Sequence, residues 1–395
     1  MSGVSLFGRQ AVITGIGQSE VARVINRSGT ALSAEAILAA VADAGLRLED
    51  IDGIATFPGA DNQDPGSAGA SAAEMIDALG LNVHWYLGAG ETSGQLGPVI
   101  NACAAVAAGL ATHVVIFRTV MEGSAQKGVG RKAVVSEPTK PHHWSQWSMP
   151  YAARPPAMIG MYAQRYMYEY GLTRRQLGEI ALNCRRNAAR NPKAIYRSPL
   201  TMEDYLSARM IDEPFCLYDC DVPIDGATAV VVSRREAVSG LRRTPITVES
   251  AGSAVPGRFS YDQNMPSMTS VHASAAMMWA NTDIRPRDVH VAELYDGFSF
   301  LSLVWLEAFG FCEQGATGKF VEGGERIALD GKLPITTQGG QLSAGRLHGL
   351  GFLHEACVQL WGEGGDRQVA GSPSVSTVGV GGGVFAGCML VTLDD

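Results

Sequence analysis

Short apolar runs that end in glycine alternate along this chain with stretches of helical periodicity. Val12 to Gly17 (VITGIG) reads as a strand entering a tight turn. From about Ser33 to Ala44, the residues Ile37, Leu38, Val41 and Ala44 recur at helical spacing and form one buried stripe. Ser33 is placed to cap that helix, and Gly45 suits a left-handed stop. Asp50 to Phe57 (DIDGIATF) predicts the next strand.

The same order returns about 240 residues later, where an apolar helix through Ala275, Ala276, Met278 and Trp279 leads to a strand over Arg287 to Tyr295. Phe57 and Tyr295 then occupy matching strand ends. Two further correspondences support a duplication. A helix from about Thr92 to Gly109 pairs with one from about Gly351 to Gly362, each entered from a glycine-rich turn. The late strand Gly226 to Ser233 (GATAVVVS) pairs with Val384 to Leu393 (VFAGCMLVTL). Two similar β-α-β halves are expected: 1–120 with 215–240, and 241–395.

Residues 121–214 break the pattern with His142-His143-Trp144, Trp147, Pro150 and Pro155-Pro156, followed by a helical stretch from Met158 to Arg190. Insertions of this kind cover a site, bind a partner or act as a structural cap. Both the lid and the cap readings stand at this stage.

The chain has 395 residues, 46% of them hydrophobic and 18% charged, which suits one large domain or two fused similar ones. Its net charge of −8 is spread without a basic stripe, which argues against duplex nucleic acid as the partner, because phosphate binding needs clustered Lys and Arg. The start, MSGVSLFGRQ, lacks the pattern of a secretory signal, and no run approaches a membrane span of about 18 uncharged apolar residues. A soluble cytoplasmic protein is expected. Its seven cysteines, at 103, 184, 216, 220, 312, 357 and 388, are odd in number and scattered, so they are read as reduced and mostly buried. No metal site is expected, since His142-His143 and Cys216-x-x-x-Cys220 lack third and fourth ligands at recognisable spacing.

The stretch Tyr170 to Ser233, with YGLTRRQLGEIALNCRRNAARNP and then FCLYDCDVPIDGATAVVVS, resembles the sterol carrier protein-x branch of the thiolase superfamily. So do the Asp225-Gly226-Ala227 turn, the Glu293-Leu294-Tyr295-Asp296-Gly297-Phe298-Ser299 segment and the Gly339-Gly340 turn with Ser343. The resemblance implies an α/β thiolase-like fold, with two duplicated β-α-β-α-β-β halves in five αβαβα layers and an inserted loop or cap region. Thiolases place a nucleophilic cysteine at the start of the first-half helix, where the helix N-terminus favours thiolate. Here that stretch reads Gly88-Ala89-Gly90-Glu91-Thr92-Ser93-Gly94, and Gly379 takes the place of the second cysteine in Val378 to Gly383. Thr92 and Ser93 read as helix caps whose neighbouring amides bind an oxygen, or as weak hydroxyl nucleophiles beside Glu91.

Where thiolases carry an Asn or His that binds the thioester oxygen, this chain has Tyr295, and by register Arg346 takes the place of the Gly-His-Pro histidine, with His348 two residues on. A cysteine-free thiolase scaffold with this tyrosine is similar to the lipid-transfer-protein aldolases that shorten steroid side chains. Those enzymes cleave a β-hydroxyacyl-CoA into a ketone and a shorter acyl-CoA, in complex with a small zinc-ribbon and OB-fold partner. A departure is Arg346, where a second tyrosine is expected as proton donor. The resemblance implies a retro-aldolase, with Tyr295 as base and His348, with Arg346, as oxyanion stabiliser or acid. Glu91, Thr92, Asp296, Gly381 and Gly382 are the candidate oxyanion or substrate-binding positions. No cofactor beyond the CoA of the substrate is implied, and a homodimer is expected. Three other readings stay open: Tyr295 as a structural plug, a thiolase-like acyltransferase, and a non-catalytic subunit that binds acyl-CoA or lipid.

Overall fold

The computed structural model describes residues 5–59, 66, 69–127, 155–255 and 268–394. Nine strands form one mixed sheet: β1 (Ala11–Gln18), β2 (Gly53–Thr56), β3 (Trp85–Gly88), β4 (His113–Met121), β7 (Asp225–Arg234), β8 (Ile246–Ala254), β9 (Val291–Leu294), β10 (Val375–Gly381) and β11 (Ala386–Leu393). A separate two-stranded ribbon joins β5 (Met210–Asp212) to β6 (Phe215–Cys216). The order in the large sheet is β3-β2-β4-β7-β1-β8-β11-β10-β9. Read outward from the middle, β1-β7-β4-β2 in one half is repeated as β8-β11-β10-β9 in the other. The halves meet through two residue pairs, Val12 with Thr247 and Ile13 with Ile246.

Helices cover both faces of each half. On the outside of the first, α1 (Gly29–Ala44) and α2 (Ala72–Leu79) bury Leu32, Ile37, Val41 and Met75 against Ile54, Val115 and Val231. Alternate residues of the same strands, Val114, Ile116, Val230 and Val232, face α3 (Gly97–Ala107) through Val99, Cys103 and Val106. This is the period-two pattern of strands buried on both faces. Helix α11 (Gly349–Leu360) packs on β9 and β10 as well as on β7 and β1. On the far side, α8 (Thr269–Trp279) covers β8 and β11. Helix α9 (Ser299–Ala308) packs on α8 and β9. The layers therefore run helix, sheet, helix, sheet, helix.

Local chemistry shifts several expected boundaries. Ser28, not Ser33, caps α1, accepting from the Ala31 N–H, while Gly45 closes it at φ 76°. Ser33 is buried inside the helix, with its hydroxyl 2.6 Å from that of Thr119 on β4. A 3₁₀ turn over Gly94–Leu96 precedes α3, so that helix starts at Gly97, and neither Thr92 nor Ser93 caps it. Thr92 instead packs where a side chain on Gly97 would stand. Ahead of β2 and β9, residues 48–50 and 286–288 are short 3₁₀ turns rather than strand.

After β4 come α4 (Glu122–Gln126), α5 (Pro155–Tyr170), α6 (Arg174–Ala189) and α7 (Met202–Ser207), with α10 (Thr317–Val321) in the second half. The helical stretch expected over 158–190 is two helices, because Gly171 turns at φ 70° and Thr173 with Gln176 forms a capping box that starts a new one. His142, His143, Trp144, Trp147 and Pro150 lie outside the described residues. No helix among the described residues is long and apolar enough to cross a membrane.

Candidate active site

The site is assembled where the turn from Gly339 to His348 meets the end of β9. Gly339 and Gly340 have φ of 100° and 61° and let the chain wind into a π-helical turn over Gly340–Ala344. A Cβ on Gly340 would stand 1.9 Å from a carboxylate oxygen of Asp296, so the turn closes on that carboxylate only with glycine there. Asp296 accepts N–H bonds from Gln341 at 2.8 Å and Leu342 at 3.3 Å, and the Cys184 thiol of α6 lies 3.3 Å away. Burial raises its carboxyl to about 7. Asp296 therefore holds the turn together, and its expected role as a substrate ligand is corrected to that of a turn anchor. Beyond the turn, the Arg346 N–H donates to the Val222 carbonyl at 2.9 Å, and the Val222 N–H donates to that of Gln341 at 3.0 Å.

Tyr295 follows the last residue of β9, and its N–H donates to the Gly379 carbonyl of β10 at 2.8 Å. Its ring lies over Gly297, where a Cβ would be 2.7 Å from it, and 6.0 Å from the Phe352 ring of α11. Burial pushes the phenol up to about 12, while the nearby Arg346 and the Gln341 side chain pull toward the anion. At neutral pH the resting group is thus a phenol.

Arg346 and His348 sit together in a charged cluster. Arg346 pairs with Glu122 at 3.2 Å and with Asp221 at 3.1 Å. His348 places Nε2 3.5 Å from Glu122, and its Nδ1 lies 3.1 Å from the Arg118 guanidinium of β4. Burial first, then the positive charges of Arg346 and Arg118, drives the His348 imidazole down to about 3. It is neutral at physiological pH, which removes it as a stored acid and leaves it as a hydrogen-bond donor. Its backbone stands at φ 61°, a strained value for a side chain with a Cβ, of the kind that functional sites retain.

Arg118, Glu122 and Asp221 were missed in the sequence, although one signal was there. Arg118 is a charge inside the otherwise apolar strand HVVIFRTVM, and a buried charge requires partners.

The remaining candidates are placed less directly. Glu91 is exposed and Thr92 half-buried on the turn before α3, outside the bonds and ion pairs of this cluster. Of the two candidate glycines Gly381 and Gly382, the second has its amide engaged in the turn between β10 and β11. There the Gly382 N–H donates to the Phe385 carbonyl at 3.1 Å and the Gly383 N–H to Met268 Sδ at 3.2 Å. The Gly381 carbonyl is taken by the Trp305 indole at 3.1 Å.

A cavity of about 140 Å³ borders the turn, lined by Gln18, Lys193, Gln338, Gln341, His348 and Phe352, among others.

The Thiolase C-terminal domain-like family model matches residues 252–393. A 17-hydroxy-3-oxo-4-pregnene-20-carboxyl-CoA lyase of Mycobacterium tuberculosis is 34% identical, over 89% of this chain and 92% of that protein. A steroid side-chain-cleaving aldolase of Thermomonospora curvata is also 34% identical, over 89% of this chain and 90% of that one. The chain belongs to the thiolase superfamily, in the branch of the steroid side-chain aldolases. The solved Ltp2–ChsH2(DUF35) aldolase overlays it with a TM-score of 0.86 at 31% identity, covering 98% of both chains. Human mitochondrial 3-ketoacyl-CoA thiolase, at 15% identity and a TM-score of 0.71, shares the fold.

For a member of this superfamily, the fate of the cysteine positions is informative. At Gly379 a Cβ would stand 2.5 Å from the Trp305 indole and 3.0 Å from the Phe309 ring, so buried aromatics fill the volume of a second cysteine side chain. Cys103, Cys357 and Cys388 are buried in the core, and burial pushes each thiol well above its ordinary range. None of these thiols is activated for nucleophilic attack.

Proposed function

We propose that this protein is a carbon–carbon lyase that cleaves a β-hydroxyacyl-CoA by a retro-aldol reaction, releasing a ketone and a shorter acyl-CoA, with a steroid side chain as the acyl group. The observation that carries this reading is a site with a buried phenol, a neutral imidazole and two guanidinium groups, built on a thiolase scaffold whose second cysteine position is filled by Trp305. A retro-aldol step needs no covalent nucleophile; it needs proton transfer and a place for enolate charge. The names of the two relatives, a steroid-carboxyl-CoA lyase and a steroid side-chain aldolase, support both the reaction and the substrate class.

In this reading Tyr295, ionised to its phenolate before the step, accepts the β-hydroxyl proton as the bond between the α and β carbons opens. The bonding pair moves into the thioester enolate, whose oxygen takes a hydrogen bond from His348 beside the Arg346 charge. The proton gained at Tyr295 matches the one the α-carbon requires, so the reaction balances without a cofactor of its own. A second reading is favoured by the phenol's resting protonation: Tyr295 donates to the α-carbon, and a carboxylate of the cluster, Glu122 or Asp221, takes the hydroxyl proton.

The assembly of the solved aldolase supports a DUF35-type partner, which we read as the small zinc-ribbon and OB-fold protein. A homodimer and a cytoplasmic location belong to the same proposal. The test is mass spectrometry of products from steroidal and simple β-hydroxyacyl-CoA substrates, with the protein purified beside any small partner from its host. A ketone and a shortened acyl-CoA, absent with Tyr295→Phe although that variant still binds the substrate, are expected. Intact ligand recovered from the complex without cleavage would replace this reading with that of a lipid-binding subunit.

A further inference from the structure

We propose that Arg118 is a positioning residue that fixes His348 as the Nε2–H tautomer and so aims that N–H into the site as a hydrogen-bond donor. The oxygen it serves, that of the thioester, rests on the retro-aldol reading; the tautomer does not. Arg118 is 2% exposed in the middle of β4 and cannot turn aside. Its Nη1 donates to the Phe57 carbonyl at 3.0 Å and the Thr119 carbonyl at 3.1 Å, and its guanidinium lies 5.5 Å from the centre of the Phe57 ring. Its Nη2 is left facing His348 Nδ1 at 3.1 Å.

A guanidinium offers only donors. Nδ1 must therefore present its lone pair, and a neutral imidazole then carries its one proton on Nε2. An imidazolium would set Nδ1–H against the Arg118 N–H groups, so the same contact opposes protonation. On the other side of the ring, Glu122 Oε1 is 3.5 Å from Nε2, a long contact that draws the proton onto Nε2 without closing into a good hydrogen bond. The N–H is thus directed by the protein and still available to a ligand oxygen. The charges around the ring are Arg118 on β4, Glu122 at the start of α4 and Arg346 on the same turn, with the Tyr295 phenol close to Arg118. His348 is the residue just before α11, and its backbone φ of 61° holds the ring in this slot.

The test is long-range ¹H–¹⁵N correlation on the full-length protein labelled at histidine, with His348 assigned from the signals lost in His348→Gln. The expected pattern is a pyridine-like Nδ1 and a protonated Nε2, unchanged between pH 8 and pH 5. An Nδ1–H tautomer, or titration in that range, overturns the proposal. Arg118→Lys retains a donor and is expected to keep the pattern. Arg118→Met removes it; the Nδ1–H tautomer is then expected to appear in the spectra, and kcat to fall on the order of 10²-fold, the usual loss of one oxyanion donor. A folded Arg118→Met protein that keeps the wild-type pattern overturns the proposal, and if that variant does not fold, the wild-type and Arg118→Lys spectra decide. The spectra need no substrate, so absence of cleavage would refute the lyase reading alone.

Discussion

Raising the pH from 7 to 9 separates the two proton-transfer roles of Tyr295. Burial pushes the phenol up to about 12, against the opposing pull of Arg346. With each pKa unit equal to about 1.4 kcal/mol, reaching the phenolate from pH 7 costs about 7 kcal/mol, and roughly one molecule in 10⁵ carries it. If the phenolate is the base, each pH unit removes about 1.4 kcal/mol of that cost, and the single-turnover rate rises about 100-fold between pH 7 and 9. If the resting phenol is the acid, the rate is flat across the window. The assay is rapid-quench single turnover of a saturating β-hydroxyacyl-CoA, followed by mass detection of the shortened acyl-CoA, with Tyr295→Phe as the background for thioester hydrolysis. The fold tolerates this window as far as Tyr295 is concerned. Its folded pKa lies above the unfolded value of about 10, so its contribution to stability is complete below pH 10 and is lost only as the pH rises through about 12. A flat profile refutes the base assignment, and a 100-fold rise refutes the acid assignment.

Two further outcomes follow from the packing and from the buried histidine. Gly379→Ala puts a Cβ 2.5 Å from the buried Trp305 ring, so a loss of about 1–3 kcal/mol and a lower urea midpoint are expected; an unchanged midpoint would show that the rings yield freely. The folded pKa of His348, about 3, lies below its unfolded value of about 6.5, so its contribution to stability is present above pH 6.5 and is lost as the pH falls through 3. Between pH 6.5 and 4 the wild type should therefore lose up to about 3 kcal/mol more than His348→Gln in urea melts, and parallel curves would count against a buried, neutral imidazole.

Much of the fold was legible because it rests on local and periodic signals. Alternation and helical spacing located β1, α1, α3, α8, α11 and the late strands β7 and β11, and the recurrence of the same order in the second half revealed the internal duplication. What misled was cap choice. Ser33 has the chemistry of an N-cap, yet its hydroxyl is used against Thr119, a residue 86 positions away that no local window contains. The break at Gly171 was visible as a glycine followed by a Thr-x-x-Gln box, but the surrounding helical pattern hid it.

The sequence by itself determined the thiolase-like architecture, the absence of cysteines from the reactive positions, and the presence of Tyr295, Arg346 and His348 in motifs worth examining. Those properties depend on residue type, spacing and family resemblance, which one strand of letters carries. Only the tertiary structure decided what these residues are to one another. It brought Arg118 and Glu122, from one strand and the helix after it, against His348 from the other half, turned Asp296 into the anchor of the glycine turn, and engaged the Gly382 amide in a hairpin and the Gly383 amide with Met268. The physical reason is that a side chain's protonation and donor direction depend on burial and on neighbours distant in sequence, and folding alone sets those.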